Sequence, residues 1–143
     1  MELKELSEKY TKKHEGLRLK LYKDTKDLLS IGWGRNIEQC GISEAEAQFM
    51  FDNDMKDVMA QIEIKILFWN NLSDTRKVVL IDMAYNLKGR VQGLLKFKNM
   101  LEYSEKEEWS KASVEILRSK YAKDVPNRAL ENAKAYESDT INL

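Results

Sequence analysis

The fold is decided near the N-terminus by the stretch His14-Glu15-Gly16-Leu17-Arg18-Leu19-Lys20-Leu21-Tyr22-Lys23-Asp24-Thr25, followed by Ser30-Ile31-Gly32-Trp33-Gly34. From Leu17 to Tyr22, leucines alternate with polar residues, which is the two-residue period of a half-buried strand. Gly16 is the kind of residue that commonly follows the end of a helix. A polar turn over 23–27 and a second strand over 28–33 complete a predicted β-hairpin.

The sequence on both sides of this hairpin has the period of α-helices. Leu3, Leu6 and Tyr10 predict an amphipathic helix over residues 2–13. Ser43 and Glu46 form a capping-box pattern, in which each side chain bonds the other's free backbone N–H. A long helix is therefore expected to begin at Ser43 and to run to about residue 64. Further helices are predicted over 74–87, 94–103, 107–121 and 127–137, with Ser73 as an N-cap and Pro126 at a helix start.

These elements predict an α+β fold that is mainly α. A chain of 143 residues has the length of a single domain. We expect a small lobe over about 15–58 and a helical lobe over about 59–143. The helical lobe is predicted to include the helix 2–13, and the long helix is predicted to join the two lobes.

The composition excludes several classes of protein. The formal net charge is zero, so no overall field marks a nucleic-acid binder. Residues 1–36 carry a net charge of +3, which suits either a polyanionic substrate or a solvated surface. Cys40 is the only cysteine and cannot form an internal disulfide. The polar N-terminus predicts no signal peptide, and no apolar run reaches bilayer length, so we expect no stable membrane insertion.

Two carboxylates and a hydroxyl fall on the predicted helix end and hairpin. Glu15 lies at the helix end, Asp24 in the turn and Ser30 on the returning strand. This set suits a glycosidase that consumes water, because one acid protonates the leaving oxygen, a base activates water and a hydroxyl holds that water. By spacing alone the same residues also fit an ordinary charged surface. The predicted local structure favours the catalytic interpretation, because the turn and the returning strand of one hairpin both contribute residues to the set.

A wider resemblance supports this interpretation. Residues 15–25, with Ile31-Gly32 and Gly34, closely resemble the active-site hairpin of the T-even phage lysozymes. Weaker similarity covers almost the whole chain, through residues 73–87, 109–121 and 125–129. The resemblance implies a lysozyme-like two-lobed fold. It also implies a muramidase that cleaves the β-1,4 bond between N-acetylmuramic acid and N-acetylglucosamine with inversion.

The resemblance also implies a role for each matched catalytic residue. Glu15 would be the general acid and Asp24 the base that activates water. Ser30 stands where the family has threonine, so it keeps the hydroxyl but lacks the methyl group that restricts rotation. Arg128 matches the arginine that the family pairs with its glutamate, and we therefore expect Arg128 to contact Glu15.

Substrate-binding residues are implied at Gly34, Tyr85 and Asn86, where Asn86 replaces a longer glutamine. The spacing of Asp82 and Asn86 places them on one helix face. Either this pair satisfies neighbouring backbone groups, or Asn86 faces a cleft. Arg35 takes the place of a family histidine, and the following segment is shorter than in the phage enzymes.

The family further implies the setting in which the protein works. Peptidoglycan would be the partner, with no metal or organic cofactor, and the protein would be a monomer. A phage endolysin of this kind is made in the host cytoplasm and reaches the periplasmic wall through a holin-type lesion.

Two rival functions remain open at this level. A lytic transglycosylase would use Glu15 alone and would consume no water. A degenerate wall-binding or virion protein would keep the fold without turnover.

Overall fold

The computed structural model covers residues 1–143 and divides into two compact units, Met1–Met50 and Phe51–Leu143. The boundary between the units falls inside the long helix. The lobe limits expected from the sequence stay a prediction.

The chain forms nine α-helices and one two-stranded antiparallel sheet, so the predicted mainly α, α+β class is confirmed. The elements of the first unit are α1 (Leu3–Glu15), β1 (Arg18–Lys23), β2 (Leu29–Gly32), α2 (Ile37–Cys40) and the start of α3 (Glu44–Lys65). The second unit continues with a 3₁₀ turn (Trp69–Asn71), α4 (Asp74–Asn86), α5 (Val91–Leu94), α6 (Lys98–Glu105), α7 (Trp109–Leu117), α8 (Lys120–Asp124) and α9 (Pro126–Ser138). None of these helices combines the length and the apolar character that crossing a bilayer requires.

Helix α1 ends where its sequence predicts a stop. Glu15 is its last residue, and Gly16 follows with φ of 70°. The Gly16 N–H donates to the carbonyl of Lys12 at 2.9 Å. Glycine adopts this positive φ without the steric cost that a side chain would bring. The helix therefore stops abruptly and leaves Glu15 at its end.

The hairpin forms as predicted, but its leucines are not half-buried. Leu17, Leu19 and Leu21 are 50 %, 80 % and 58 % exposed. The register pairs Arg18 with Gly32 and Tyr22 with Ser30, so β1 holds extra residues between these two pairs. A bulge of this kind interrupts the regular alternation of faces along a strand. The two-residue period therefore predicted the strand correctly and its burial wrongly.

The capping box at the start of α3 is confirmed. The Ser43 N–H donates to Glu46 Oε1 at 2.9 Å, and the Glu46 N–H donates to Ser43 Oγ at 3.1 Å. The backbone and hydroxyl of Ser43, followed by the charge of Arg35, hold the pKa of Glu46 below its usual value. Along α3, Val58 and Ile62 are buried whereas Met50 is exposed.

Helices α4, α7 and α9 pack together around the core of the second unit. The Ser73 hydroxyl accepts the Arg76 N–H at 3.2 Å, which confirms the predicted N-cap of α4. Pro126 opens α9 as predicted. The fully buried core side chains include Leu80, Met83, Leu94, Ile116 and Tyr136. Burial raises the pKa of Tyr136 to about 12, although the Ser104 hydroxyl bonded to it acts in the opposite direction.

Two helices predicted as single segments are each divided. Residues 94–103 were expected to be one helix, but Lys96 and Phe97 donate back three residues in a tight turn, and α6 begins at Lys98. Residues 107–121 were expected to form another. There the Ser119 hydroxyl accepts the Ala122 N–H at 3.3 Å and starts a new helix.

Arg76 joins α4 to the end of α9, and Arg76→Ala is expected to lower the free energy of unfolding by about 3 kcal/mol. Its guanidinium donates to the carbonyls of Tyr136 at 2.8 Å and Glu137 at 3.2 Å, and it stacks 3.9 Å from the Trp109 ring centre. Removing it leaves helix-end carbonyls unsatisfied in a largely buried site. Urea unfolding measures the loss.

The exposed Arg118 provides the matched control, since its pair with Glu115 at 3.5 Å lies on the surface. Arg118→Ala is expected to cost under about 0.5 kcal/mol. Equal losses for the two variants would contradict the structural role of Arg76.

Candidate active site

Glu15 is placed by the tight turn that follows β2. Ile31 and Arg35 exchange two backbone hydrogen bonds of 2.9 and 3.0 Å across this turn. Gly34 inside the turn has φ of 75°, and a Cβ atom there would overlap the Glu15 carboxylate. The bare backbone of Gly34 therefore allows that carboxylate to lie against the hairpin. The binding of substrate by Gly34 stays a prediction, but its contact with Glu15 is a finding.

Asp24 is fixed by the backbone of its own turn. Its Oδ1 atom accepts the N–H groups of Lys26 at 2.8 Å and Leu28 at 3.0 Å. The Asp24 N–H donates in turn to the carbonyl of Leu28 at 2.9 Å. Such an Asx-type turn holds the carboxylate in one orientation. The second oxygen, Oδ2, takes no protein hydrogen bond and is available to water.

Ser30 shares a face of the hairpin with Asp24. It pairs directly with Tyr22, the next pair is Lys23 with Leu29, and the bonds between Asp24 and Leu28 continue that register one step further. Residues two apart on a strand point to one face, so Asp24 and Ser30 are diagonal neighbours. Ser30 is only 2 % exposed, and its hydroxyl bonds no protein group. The pair can therefore address one water molecule.

The first unit thus carries four of the predicted catalytic and binding residues around one hairpin. Glu15 touches Gly34 on the turn after β2, and the turn and strand carry Asp24 and Ser30. A carboxyl group, a carboxylate with a free oxygen and an unpaired hydroxyl are the groups that hydrolysis of an acetal needs.

Two predicted substrate-binding residues belong to the second unit. The Tyr85 ring packs 5.5 Å from that of Phe51, and the Arg90 guanidinium lies 4.6 Å from the Tyr85 ring centre. Asn86 is exposed at the end of α4 and lines a groove of about 630 Å³. The cations along this groove are Lys88, Lys96, Lys98, Arg118 and Lys120. Binding of substrate by Tyr85 and Asn86 stays a prediction.

Arg128 has a partner that the sequence did not reveal. Its guanidinium pairs with Asp82 through bonds of 2.9 and 2.6 Å. The predicted contact of Arg128 with Glu15 stays a prediction. Asp82 could have been suspected, because an acid within the apolar run of α4 needs a cation or polar partner. Of the two interpretations of the Asp82–Asn86 face, neither included this ion pair.

The ion pair between Arg128 and Asp82 shifts the pKa values of both groups. Burial raises the pKa of Asp82, but hydrogen bonds from Arg128 and Asn132 outweigh it, so the pKa lies below its usual value. The bond from Asp82 raises the pKa of Arg128. Both groups are therefore charged at neutral pH. No group of three or more His, Cys, Asp or Glu side chains in the structure could hold a metal ion.

Comparisons with known proteins all point to one family. A family model described as phage lysozyme matches residues 12–137. Two proteins of Dictyostelium discoideum are also similar over most of their length. "Probable T4-type lysozyme 1" is 26 % identical over 157 residues, covering 90 % of this chain and 91 % of that protein. "Probable T4-type lysozyme 2" is 24 % identical over 156 residues, covering 89 % and 91 %.

Proposed function

The chain belongs to the phage lysozyme family, and on that premise we propose that it is an inverting muramidase. It is a lysozyme-like peptidoglycan hydrolase, and the proposed bond is the β-1,4 linkage between N-acetylmuramic acid and N-acetylglucosamine. One observation carries the proposal. Glu15 lies against Gly34 beside a hairpin on which Asp24 and Ser30 share a face.

The proposed mechanism gives each of these side chains one task. The Glu15 carboxyl donates its proton to the glycosidic oxygen as that bond breaks. The Asp24 carboxylate takes a proton from a water molecule through its free oxygen, and the Ser30 hydroxyl orients that water. The water attacks the anomeric carbon on the face opposite the leaving group, which inverts its configuration. This geometry needs the two carboxyl groups to be about 6.5–9.5 Å apart.

The proposed biological role follows from the family. Acting as a phage or prophage endolysin, a monomer of this kind would be made in the host cytoplasm and would reach the periplasmic wall through a holin-type lesion. Peptidoglycan is the substrate, and lysis of the host is the proposed outcome.

Clearing of purified peptidoglycan in ¹⁸O-labelled water tests the chemistry. A muramidase is expected to place one labelled oxygen at each new reducing end, because water is the nucleophile. Asp24→Asn is expected to slow clearing by about 10²-fold, because the general base is lost. Ser30→Ala should slow clearing less, because the base remains and the attacking water is only held less firmly. Asp27→Asn is the control, since its exposed carboxylate in the same turn pairs with Lys23 at 3.4 Å.

Each alternative function has its own outcome in this assay. Unlabelled products lighter by one water, with Asp24→Asn still active, would identify a lytic transglycosylase that uses Glu15 alone. Wall binding without clearing, where a known lysozyme clears, would identify a degenerate binding protein and overturn the proposal.

A further inference from the structure

An open apolar groove of about 860 Å³ lies within the first unit, between the hairpin, α2 and the start of α3. Side chains of the hairpin form one wall, and side chains of the two helices form the other. The larger apolar side chains that line it include Leu21, Ile31, Trp33, Ile37, Phe49 and Met50. None of the proposed catalytic residues lines this groove, so the proposed hydrolysis does not explain it.

The two charged side chains in the groove already bond other groups of the protein. The Arg35 guanidinium donates to Glu46 at 2.7 Å and to the carbonyl of Gly41 at 3.0 Å. The other carboxylate oxygen of Glu46 accepts the Ser43 N–H at 2.9 Å. A glycan or a polar peptide needs new hydrogen-bond partners when it loses water. The groove therefore fits an occupant that is mainly hydrocarbon.

The apolar walls of the groove are open to solvent. Phe49 is 69 % exposed and Trp33 is 46 % exposed. Leu21, Ile42 and Met50, which also line the groove, are exposed as well. Single exposed apolar residues are common on protein surfaces, but a contiguous set around a groove indicates an interaction surface.

A cation lies beside Trp33 at the edge of the groove. The Lys12 Nζ atom is 5.2 Å from the centre of the Trp33 ring. Lys4 and Lys9, earlier on α1, each pair with an acid one turn away, whereas Lys12 forms no such ion pair. Tryptophan and lysine side chains are typical of the bilayer interface, where the ring lies among the headgroups and the ammonium attracts anionic lipids. The net charge of +3 on residues 1–36 acts in the same direction.

We propose that this groove, with Trp33 and Lys12 at its edge, is a peripheral docking surface for a membrane of anionic phospholipids. In the docked state Phe49 and Trp33 enter the boundary between headgroups and acyl chains, and the Lys12 ammonium meets lipid phosphate. The contact is reversible, because a few apolar side chains bury far less area than a spanning helix. The docking surface adds a place of action to the proposed hydrolase and does not depend on its chemistry.

Co-sedimentation with phosphatidylglycerol vesicles tests the proposal, with phosphatidylcholine vesicles as the neutral comparison. The wild type is expected to bind the anionic vesicles more tightly. Phe49→Ala should weaken this binding about tenfold, because the phenyl ring no longer leaves water, and Lys12→Gln should weaken it about fivefold. Ile64→Ala is the matched control and should bind like the wild type. Ile64 lies on the same helix as Phe49 and is similarly exposed, at 73 %.

Tryptophan fluorescence locates the contact on the molecule. Lipids with brominated acyl chains quench a tryptophan that enters them. They should quench part of the emission of the wild type and none of that of Trp33→Phe, in which Trp69 and Trp109 remain.

Three results would each overturn the proposal: no preference for anionic vesicles, an equal loss of binding in Ile64→Ala, or quenching that persists in Trp33→Phe. A concentration-dependent dimer that Phe49→Ala abolishes would identify a second copy of the chain as the occupant and would also overturn it. None of these measurements requires turnover. A wild type that docks on vesicles but clears no wall would therefore overturn the proposed function alone.

Discussion

Glu15→Gln is expected to lower the rate of peptidoglycan hydrolysis by about 10³-fold, because the glycosidic oxygen then leaves without a proton donor. Glutamine has the shape of the protonated acid and still fits beside the bare backbone of Gly34. The carboxamide cannot give up a proton at neutral pH. Initial rates of clearing measure the loss, and wall pull-down should show that binding persists.

Another acid on the same helix serves as the control for this variant. Glu8 is exposed on α1 and lies 3.8 Å from Lys4, so Glu8→Gln removes an equal charge from the same element. It should leave the rate within about twofold, since an exposed pair of this kind contributes little. A Glu15→Gln variant that keeps more than a tenth of the wild-type rate would exclude Glu15 as the general acid.

The parts of the fold that could be predicted are those fixed by bonds between close neighbours in sequence. The capping box of Ser43 and Glu46 spans three residues, and the stop at Gly16 needs only a positive φ and a bond to Lys12. The same holds for the placement of Glu15 at a helix end and of Asp24 in a turn. Each depends on local backbone chemistry that a short window of sequence contains.

Features that depend on distant partners escaped prediction. Asp82 and Arg128 are 46 residues apart, and no period in the sequence connects them. Leu19 fits the alternating pattern of a strand, yet it is exposed. Its burial would require another element to pack against that face of β1, and the alternation does not predict such a partner. The break at Ser119 involves a local bond, in which the Ser119 hydroxyl caps the start of α8. A serine is also tolerated inside a helix, so the sequence alone did not predict a new helix start there.

The contact of Gly34 with Glu15 shows the same limit within the site itself. A glycine after a strand predicts a bulge or a close approach of backbone, but it does not say what approaches. The structure identifies the Glu15 carboxylate as that neighbour. The resemblance assigns Gly34 to substrate binding. Its contact with Glu15 gives this glycine a second role, which can be tested separately from substrate binding.

Gly34→Ala is expected to lower kcat by about 10²-fold with only a modest loss of stability. The new Cβ would overlap the Glu15 carboxylate, which is the far end of a flexible side chain and can move aside. The conflict is therefore relieved by displacing the proposed acid rather than by unfolding the hairpin. A displacement of about 1 Å in a reacting group can cost a factor of this size. Clearing rates and thermal unfolding, measured on one preparation, separate the two effects.

Gly32 supplies a control with a similar positive φ and no contact with Glu15. Its φ of 70° is close to the 75° of Gly34, but a Cβ atom at Gly32 meets nothing within 4 Å. Both alanine variants should lose about 1–2 kcal/mol from strain at positive φ, and only Gly34→Ala should lose the additional activity. Adding Gly34→Ala to Glu15→Gln should then cost no further rate, because the displaced group no longer donates a proton. Equal rates for the two alanine variants would show that backbone strain, and not the contact with Glu15, is what makes glycine necessary at position 34.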